Sequence, residues 1–225
     1  TDPGVASVDI AGPGFINITV ETAAAGRVVA DVVAAGAAYG TSDTLAGQRI
    51  NLEYISANPT GPLHLGHTRW AAVGDAMARV LAAAGAEVGT EFYVNDRGVQ
   101  MDRFGASLVA AAHGRPAPSD GYHGGYIIDL ASAIVAEHPE ALELSGGDAM
   151  EFFRDQGYAL QLAQQQQVLR LFRTEFDVWY SERHLHDSGA VERGFAALDA
   201  AGHTYDSDGA KWLRTSEFGD DKDRV

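Results

Sequence analysis

The chain has 225 residues, 46% of them hydrophobic, which is enough to bury a core in one large or two small domains. Its 16 Lys and Arg against 31 Asp and Glu give a formal net charge of −15, so the overall field repels nucleic acid and any RNA contact must be local. It has no Cys and no apolar run long enough to span a membrane, so we predict a protein without disulfides or membrane contact, located in the cytoplasm.

The N-terminal part predicts one strand and one helix. Residues 15–20 alternate apolar and polar side chains as a short strand does, with nothing before them to pair with. Residues 27–38 carry valines at spacings of one, three and four and are followed by Gly40, which predicts a helix. Residues 41–47 link this helix to the next strand.

The central stretch joins a strand to a helix through a loop rich in Pro and Gly. Residues 50–56 place apolar side chains on one face, and residues 73–84 show helical spacing that ends at Gly85. The rigid loop between them lies at the carboxyl end of the strand, where open α/β sheets bind ligands. The helix begins near His67, and its N–H groups and positive dipole end suit phosphate.

His64, Gly66 and His67 give this loop the composition of a nucleotide site. The two imidazoles supply hydrogen-bond donors, and the glycine lets a flat base or ribose lie against the backbone. Paired histidines also occur in zinc sites, but the chain has no Cys and no third ligand nearby, so we predict no metal site. Spacing alone leaves ordinary loop histidines open, and the breaker-rich loop favours a site.

A second strand over residues 88–94 follows the helix. This strand–helix–strand order predicts a parallel pair with a right-handed crossover. Asp96 and Gln100 then fall at the carboxyl end of the second strand, on the same rim as His64, where they form a possible pocket. A capping Asp and a solvated Gln remain the alternative.

The rest of the chain predicts further helices, one strand and one hairpin. These elements cover residues 100–112, 127–136 and 149–176 (helices), 176–180 (strand), 191–198 (helix) and 204–214 (hairpin). The solvent-facing side of the long helix is predicted to carry Gln164–Gln167. His184 and His186 are predicted on one side of a strand, followed by a helix cap at Asp187 or Ser188. Tyr126 either reaches a ligand or packs as a surface anchor.

Several stretches of the chain resemble one family. His64-Leu-Gly-His67 resembles the His-x-Gly-His signature of class I aminoacyl-tRNA synthetases, and the wider run over residues 51–69 resembles arginyl-tRNA synthetases in particular. Four further stretches are similar to that family, at residues 92–100, 121–127, 176–182 and 211–214 with 218–224. Other nucleotidyltransferases share the four-residue signature, whereas five stretches in order are specific.

The resemblance implies an α/β fold with a Rossmann-like (HUP-type) parallel sheet, the first half of a class I catalytic domain. Residues 47–225 would form this domain, with an insertion at about 115–150, and residues 1–46 would be the remnant of an N-terminal tRNA-contacting domain plus a linker helix. The implied reaction is the ATP-dependent attachment of L-arginine to tRNA(Arg) through arginyl-adenylate, with Mg²⁺ accompanying ATP. The family is usually monomeric.

The resemblance also implies roles for residues of the loop. His64 and His67 would be catalytic and would bind the phosphates of ATP in the transition state, with Pro59 and Gly66 completing the ATP site. Glu53, Ser56 and Asn58 would hold arginine, because they match the family's amino-acid positions. Without the motif, Glu53 would be an outward strand charge and Asn58 a turn former before a proline.

One feature that class I synthetases use is not matched in this chain. Class I synthetases also use a lysine-bearing loop from the later half of the fold, and the two lysines of the chain, Lys211 and Lys222, lie in no matching motif. We therefore expect a fragment of the enzyme that is inactive alone. A small-molecule nucleotidyltransferase sharing the histidine loop and a non-catalytic nucleotide- or RNA-binding module remain open as alternatives.

Overall fold

The computed structural model describes residues 4–225, so residues 1–3 of the predicted region 1–46 lie outside the described residues. The chain divides into two compact units. Residues up to 49 together with 80–87 form the first unit, and residues 50–79 together with 88–225 form the second. The candidate site lies in the second unit.

The first unit contains a two-stranded antiparallel sheet and a helix. Strands β1 (Val5–Ala11) and β2 (Phe15–Val20) pair with Val8 opposite Ile18, and helix α1 (Thr22–Ala35) follows. The prediction that β2 has no earlier partner was wrong, because Val8 and Ile10 alternate with polar neighbours and supply the missing strand.

The second unit contains a three-stranded parallel sheet in the order β3-β4-β5. Its strands are β3 (Arg49–Glu53), β4 (Glu87–Val94) and β5 (Val178–Ser181). In the parallel β4–β5 pair, Phe92 lies opposite Trp179. Beyond the end of β3, the N–H of Tyr54 donates to the carbonyl of Glu91 at 3.3 Å. The predicted parallel strand–helix–strand arrangement is confirmed.

The helices and the hairpin complete the fold. They are α2 (Leu65–Ala83), α3 (Val99–Ala112), α4 (Gly125–Glu137), α5 (Gly146–Leu171), α6 (Glu182–Asp187), α7 (Ala190–Ala200), β6 (Thr204–Ser207) and β7 (Ala210–Leu213). The antiparallel pairing of β6 with β7 confirms the predicted hairpin. Hydrophobic side chains of α3, α4 and α5 form one core, which includes Phe104, Leu108 and Phe153. A second core around Phe92 contacts the sheet and the C-terminal end of α5.

Close packing of α3 on α5 depends on Gly157. A Cβ atom at this position would collide with the side chain of Leu108 and crowd Phe104, both of which are fully buried. The glycine therefore lets the two helices approach more closely than any other residue would permit. This contact fixes the path of α5 past the sheet.

Two local predictions around α6 and α7 were wrong. His184 and His186 lie on the short helix α6 rather than on a strand, because Ser181 caps that helix by accepting from the His184 N–H at 3.1 Å. Neither Asp187 nor Ser188 caps α7, whose N-cap is Gly189 in the left-handed conformation.

The long helix α5 ends earlier than predicted. Arg173 adopts a left-handed φ of 62°, and the N–H of Thr174 donates to the carbonyl of Leu169 at 2.9 Å. This arrangement is a Schellman termination, which leaves residues 174–177 to lead into β5. Gln165 is buried rather than solvent-facing, so the prediction of one exposed glutamine run was wrong in part.

Candidate functional site

The carboxyl end of β3 brings two of the predicted arginine-binding residues together. The Ser56 hydroxyl donates to Oε1 of Glu53 at 2.6 Å and accepts from the N–H of Tyr93 on β4 at 3.1 Å. Ile55 and Ser56 both adopt left-handed backbone angles, with φ of 69° and 42°. Such angles are strained for residues other than glycine and persist only where neighbouring contacts hold them. The serine bridge between the two strands is such a contact.

The loop that follows places Asn58 beside Gln100. Nδ2 of Asn58 donates to Oε1 of Gln100 at 2.6 Å, so the structure brings a predicted arginine-binding residue together with a predicted pocket residue. Pro59 is less than 2% exposed and supports the loop from inside. Its predicted contact with ATP stays a prediction, because its surface is covered in this conformation.

The His64-Leu-Gly-His67 segment forms a capping box at the start of α2. Nδ1 of His67 accepts from the backbone N–H of His64 at 3.2 Å, and Nδ1 of His64 accepts from the backbone N–H of Gly66 at 3.1 Å. In a capping box the N-cap side chain accepts from the third helical N–H and the side chain at the third position accepts from the N-cap N–H. Here His67 accepts from the N-cap N–H as in that motif, whereas His64 accepts from the second helical N–H, that of Gly66, so the arrangement is a variant of the capping box. The carbonyl of His64 accepts the first helical bond, from Thr68 at 3.1 Å.

This geometry fixes the tautomer of both rings. A backbone N–H can only donate, so each Nδ1 must be an acceptor, and a neutral ring then carries its proton on Nε2. The rings of His64 and His67 stack with their centroids 3.8 Å apart. Burial, and then the positive charge of His64, lower the pKa of His67 below its ordinary value. With Nδ1 accepting in both rings, each imidazole carries its donor hydrogen on Nε2.

Gly66 makes room for the histidine pair. A Cβ at this position would lie 2.9 Å from Cε1 of His64, closer than two such atoms can approach. The space beside the glycine is therefore occupied by the His64 ring. The predicted contact of Gly66 with a base or ribose stays a prediction.

Asp96 is held by internal partners. Its carboxylate accepts from the hydroxyl of Ser181 at 2.6 Å and from the N–H of Arg183 at 2.8 Å, and the residue is 3% exposed. Burial, and then the charge of Asp96, raise the pKa of Tyr158 to about 12. These contacts tie the end of β4 to the start of α6, so a ligand contact by Asp96 stays a prediction.

A cavity opens beside the end of β3. It measures about 360 Å³ and is lined by residues 52–56 of the strand end together with Trp70, Val73, Gly74 and Met77 of α2. Glu53 and Ser56 therefore border an open space. Within residues 4–225, His, Cys, Asp and Glu side chains form no group of three arranged to hold a metal ion. No helix in the same range is long and apolar enough to cross a membrane.

Two side chains contact the loop in a way that the sequence did not predict, since Gln165 was expected to face solvent and Tyr126 to reach a ligand or to pack as a surface anchor. Gln165 of α5 donates to the carbonyls of Asn58 and Gly61, and Tyr126 of α4 donates to the carbonyl of Thr60. The spacing of residues along α5 indicates that Gln165 is buried, although not which partner it has. Buried positions of α5 repeat every four residues, at Phe153, Gly157, Gln161, Gln165 and Leu169, and this repeat includes the glutamine.

The fold and the histidine box at the end of β3 are similar to those of class I tRNA synthetases. The family model described as "tRNA synthetases class I (R), catalytic domain" matches residues 28–115. Two solved structures share the fold. One, assigned as an arginyl-tRNA synthetase from Campylobacter jejuni, has a TM-score of 0.77 and 29% identity over 88% of this chain and 44% of that one. The arginyl-tRNA synthetase of Thermus thermophilus has a TM-score of 0.61 and 22% identity over 97% of this chain and 38% of that one.

Curated relatives specify the family further. The chain is 57% identical over 222 residues to an arginine–tRNA ligase of Kineococcus radiotolerans and 52% identical over 223 residues to one of Micrococcus luteus. Each match covers 99% of this chain and 40% of the relative, so the chain spans about two fifths of the length of the relatives it matches. The chain is thus similar over almost its whole length to arginyl-tRNA synthetases, the family that its sequence motifs predicted.

Proposed function

We propose that the protein carrying this chain attaches L-arginine to tRNA(Arg) in the cytoplasm. The arginine carboxylate attacks the α-phosphate of ATP, pyrophosphate leaves, and the terminal ribose hydroxyl of the tRNA then displaces AMP from arginyl-adenylate. Residues 47–225 would supply the first part of the catalytic domain, with an insertion at about 115–150, and residues 1–46 would belong to the tRNA-contacting part. The histidine capping box at the end of β3 is the observation that carries this proposal.

The capping box suits the first step of the reaction. Neither step needs a protein nucleophile, so catalysis rests on positioning and on stabilising the negative charge that develops on the phosphates. The Nε2–H donors of His64 and His67 lie at the start of α2, where the helix dipole also favours an anion. Their Nδ1 atoms are engaged by the backbone, so the rings are already oriented before ATP binds.

The end of β3 suits the amino acid. The Glu53 carboxylate is an acceptor for the cationic groups of arginine, and the Ser56 hydroxyl orients it at 2.6 Å. Asn58 lies two residues after Ser56, and its Nδ2 donates to Oε1 of Gln100 at 2.6 Å. Mg²⁺ would arrive with ATP. The ion would be held mainly by the phosphates of the nucleotide.

Arginine-dependent exchange of pyrophosphate with ATP, in the presence of tRNA, tests this function in the complete protein that carries these residues. We expect exchange that requires L-arginine and that falls by about a hundredfold or more in His67→Asn, which keeps an acceptor at the Nδ1 position but lacks the Nε2–H donor. Adenylyl transfer to a phosphorylated small molecule without arginine would instead indicate a nucleotidyltransferase. ATP or tRNA binding with no exchange would indicate a binding module.

A further inference from the structure

The carbonyl oxygens of the loop over residues 58–61 accept hydrogen bonds from one side chain of α4 and one of α5. Nε2 of Gln165 donates to the Asn58 carbonyl at 3.0 Å and to the Gly61 carbonyl at 2.8 Å. The hydroxyl of Tyr126 donates to the Thr60 carbonyl at 3.0 Å. We call these three bonds the carbonyl clamp. Both partners of Gln165 can only accept, so the orientation of its amide is fixed by chemistry.

The position of Gln165 favours a specific role over simple packing. The residue is 1% exposed, within a buried stripe that also contains Phe153, Gln161 and Leu169. Its Oε1 has no hydrogen-bond partner among residues 4–225, whereas both hydrogens of Nε2 are used. An apolar side chain would fill this volume without leaving a buried acceptor unpaired. The donors of the amide are therefore the part of the side chain that the loop uses.

Tyr126 complements the glutamine from the other helix. Its hydroxyl lies 3.6 Å from the position that a Cβ of Gly61 would occupy, so the ring packs directly against the loop. Burial, and then the charge of Tyr122, raise the pKa of Tyr126, so the phenol stays protonated and remains a donor at neutral pH. The loop is thus held by α4 at Thr60 and by α5 at the residues on either side.

We propose that Gln165 and Tyr126 are positioning residues for the proposed arginine and ATP sites. The clamp fixes the backbone from which Asn58 projects, and this same backbone leads to the histidine box. With the clamp in place, the Asn58 amide meets Gln100 at 2.6 Å. Loss of the clamp lets the loop shift, which misplaces Asn58 relative to the amino acid. This inference rests on the proposed function, because it assigns the clamp to the same site.

The test compares matched variants in the complete protein. Gln165→Met removes the two bonds to the loop while keeping the volume, and Tyr126→Phe removes one hydroxyl. Gln161→Met is the matched control, because Gln161 is also a fully buried glutamine of α5 but donates to Gln164 on its own helix at 2.9 Å. We expect kcat of pyrophosphate exchange to fall about tenfold to a hundredfold in Gln165→Met, less in Tyr126→Phe, and less than about twofold in Gln161→Met.

Two further readouts separate positioning from a general loss of fold. Hydrogen exchange of a peptide over residues 55–68 should accelerate in Gln165→Met and Tyr126→Phe but not in Gln161→Met. The KM for arginine should rise with the loss of kcat in the clamp variants, at temperatures well below the unfolding of each variant.

Specific outcomes would overturn the inference. Unchanged exchange of the loop peptide in Gln165→Met would mean that the clamp does not hold the loop. Equal losses in Gln165→Met and Gln161→Met would mean that both glutamines act only on the fold. If the unsubstituted protein shows no arginine-dependent exchange, the proposed function fails, and the hydrogen-exchange comparison still decides whether the clamp exists.

Discussion

Two neighbouring parts of the site are held in opposite ways. The loop over residues 58–61 is buried and is fixed by side chains that lie 42 to 107 positions away in the chain. The histidine box over residues 64–67 is more exposed and is fixed by bonds between residues two or three positions apart. The first depends on the packing of the whole unit, whereas the second depends on its own sequence. Substitutions should therefore act on the two parts in different ways.

The largest expected effect comes from placing a charge in the carbonyl clamp. Gln165→Glu would bury a carboxylate against two carbonyl oxygens, and such an uncompensated charge lowers the free energy of unfolding by about 3–5 kcal/mol. Chemical denaturation with linear extrapolation measures this change. Gln167→Glu on the exposed face of the same helix should stay within about 0.5 kcal/mol. A loss below about 1 kcal/mol for Gln165→Glu would show that the site is open to water.

A change far from the loop tests the packing that carries Gln165. Gly157→Ala would force a methyl group against Leu108 and Phe104, and such overpacking lowers the free energy of unfolding by about 1–3 kcal/mol. Gly194→Ala in α7 is the control, because a Cβ there meets nothing within 4 Å. That variant should raise the free energy of unfolding by about 0.5–1 kcal/mol through helix propensity. Thermal or chemical unfolding should show a lower free energy of unfolding for Gly157→Ala and a higher one for Gly194→Ala.

The histidine box should lose stability when only the acceptor for the His64 N–H is removed. His67→Ala removes the acceptor for the His64 N–H and should lower the free energy of unfolding by about 1 kcal/mol, as loss of a helix cap does. His67→Asn places an oxygen where Nδ1 lies and should recover most of that loss. If both variants are equally destabilised, the ring contributes through its stacking on His64 rather than through the cap.

The smallest expected effect is a pH dependence. The pKa of His67 is lowered in the folded chain from its ordinary value of 6.5, so the unfolded chain binds a proton more readily. The contribution of His67 to stability is therefore constant above pH 6.5 and declines as the pH falls from 6.5 through the folded pKa. Unfolding curves of the unsubstituted chain and of His67→Asn between pH 5 and 8 isolate this residue, and the stability of the unsubstituted chain relative to His67→Asn should fall toward acid.

The same contrast explains what could be predicted from the sequence. The periodicity of residues 50–56 and the breakers after them located β3 and the loop, and the histidine spacing located the box, because these signals are local. The clamp could not be predicted, since nothing near Gln165 in the sequence indicates that α5 passes the loop. The run of four glutamines suggested a solvent-facing surface, and packing of α5 on α3 through Gly157 turned one of them inward.

The backbone angles just after β3 were the other feature that the sequence could not predict. Apolar alternation predicts where a strand runs, but it does not predict that Ile55 and Ser56 leave it with left-handed angles. Isoleucine is among the residues least suited to that region, so no propensity points to it. The angles follow from the Ser56 bonds to Glu53 and to the β4 backbone, which join residues that only the folded sheet brings together.

The reversal at Ile55 and Ser56 also decides how far the loop reaches. An extended chain advances about 3.3 Å per residue, so five extended residues after the end of β3 would carry Asn58 about 16 Å beyond the strand. The two left-handed residues turn the chain along the carboxyl edge of the sheet. The Asn58 amide then donates to Gln100 at the N-terminal end of α3. The early end of β3 therefore lets Asn58 lie to the side of the strand, beside Gln100, where a longer strand would not have carried it.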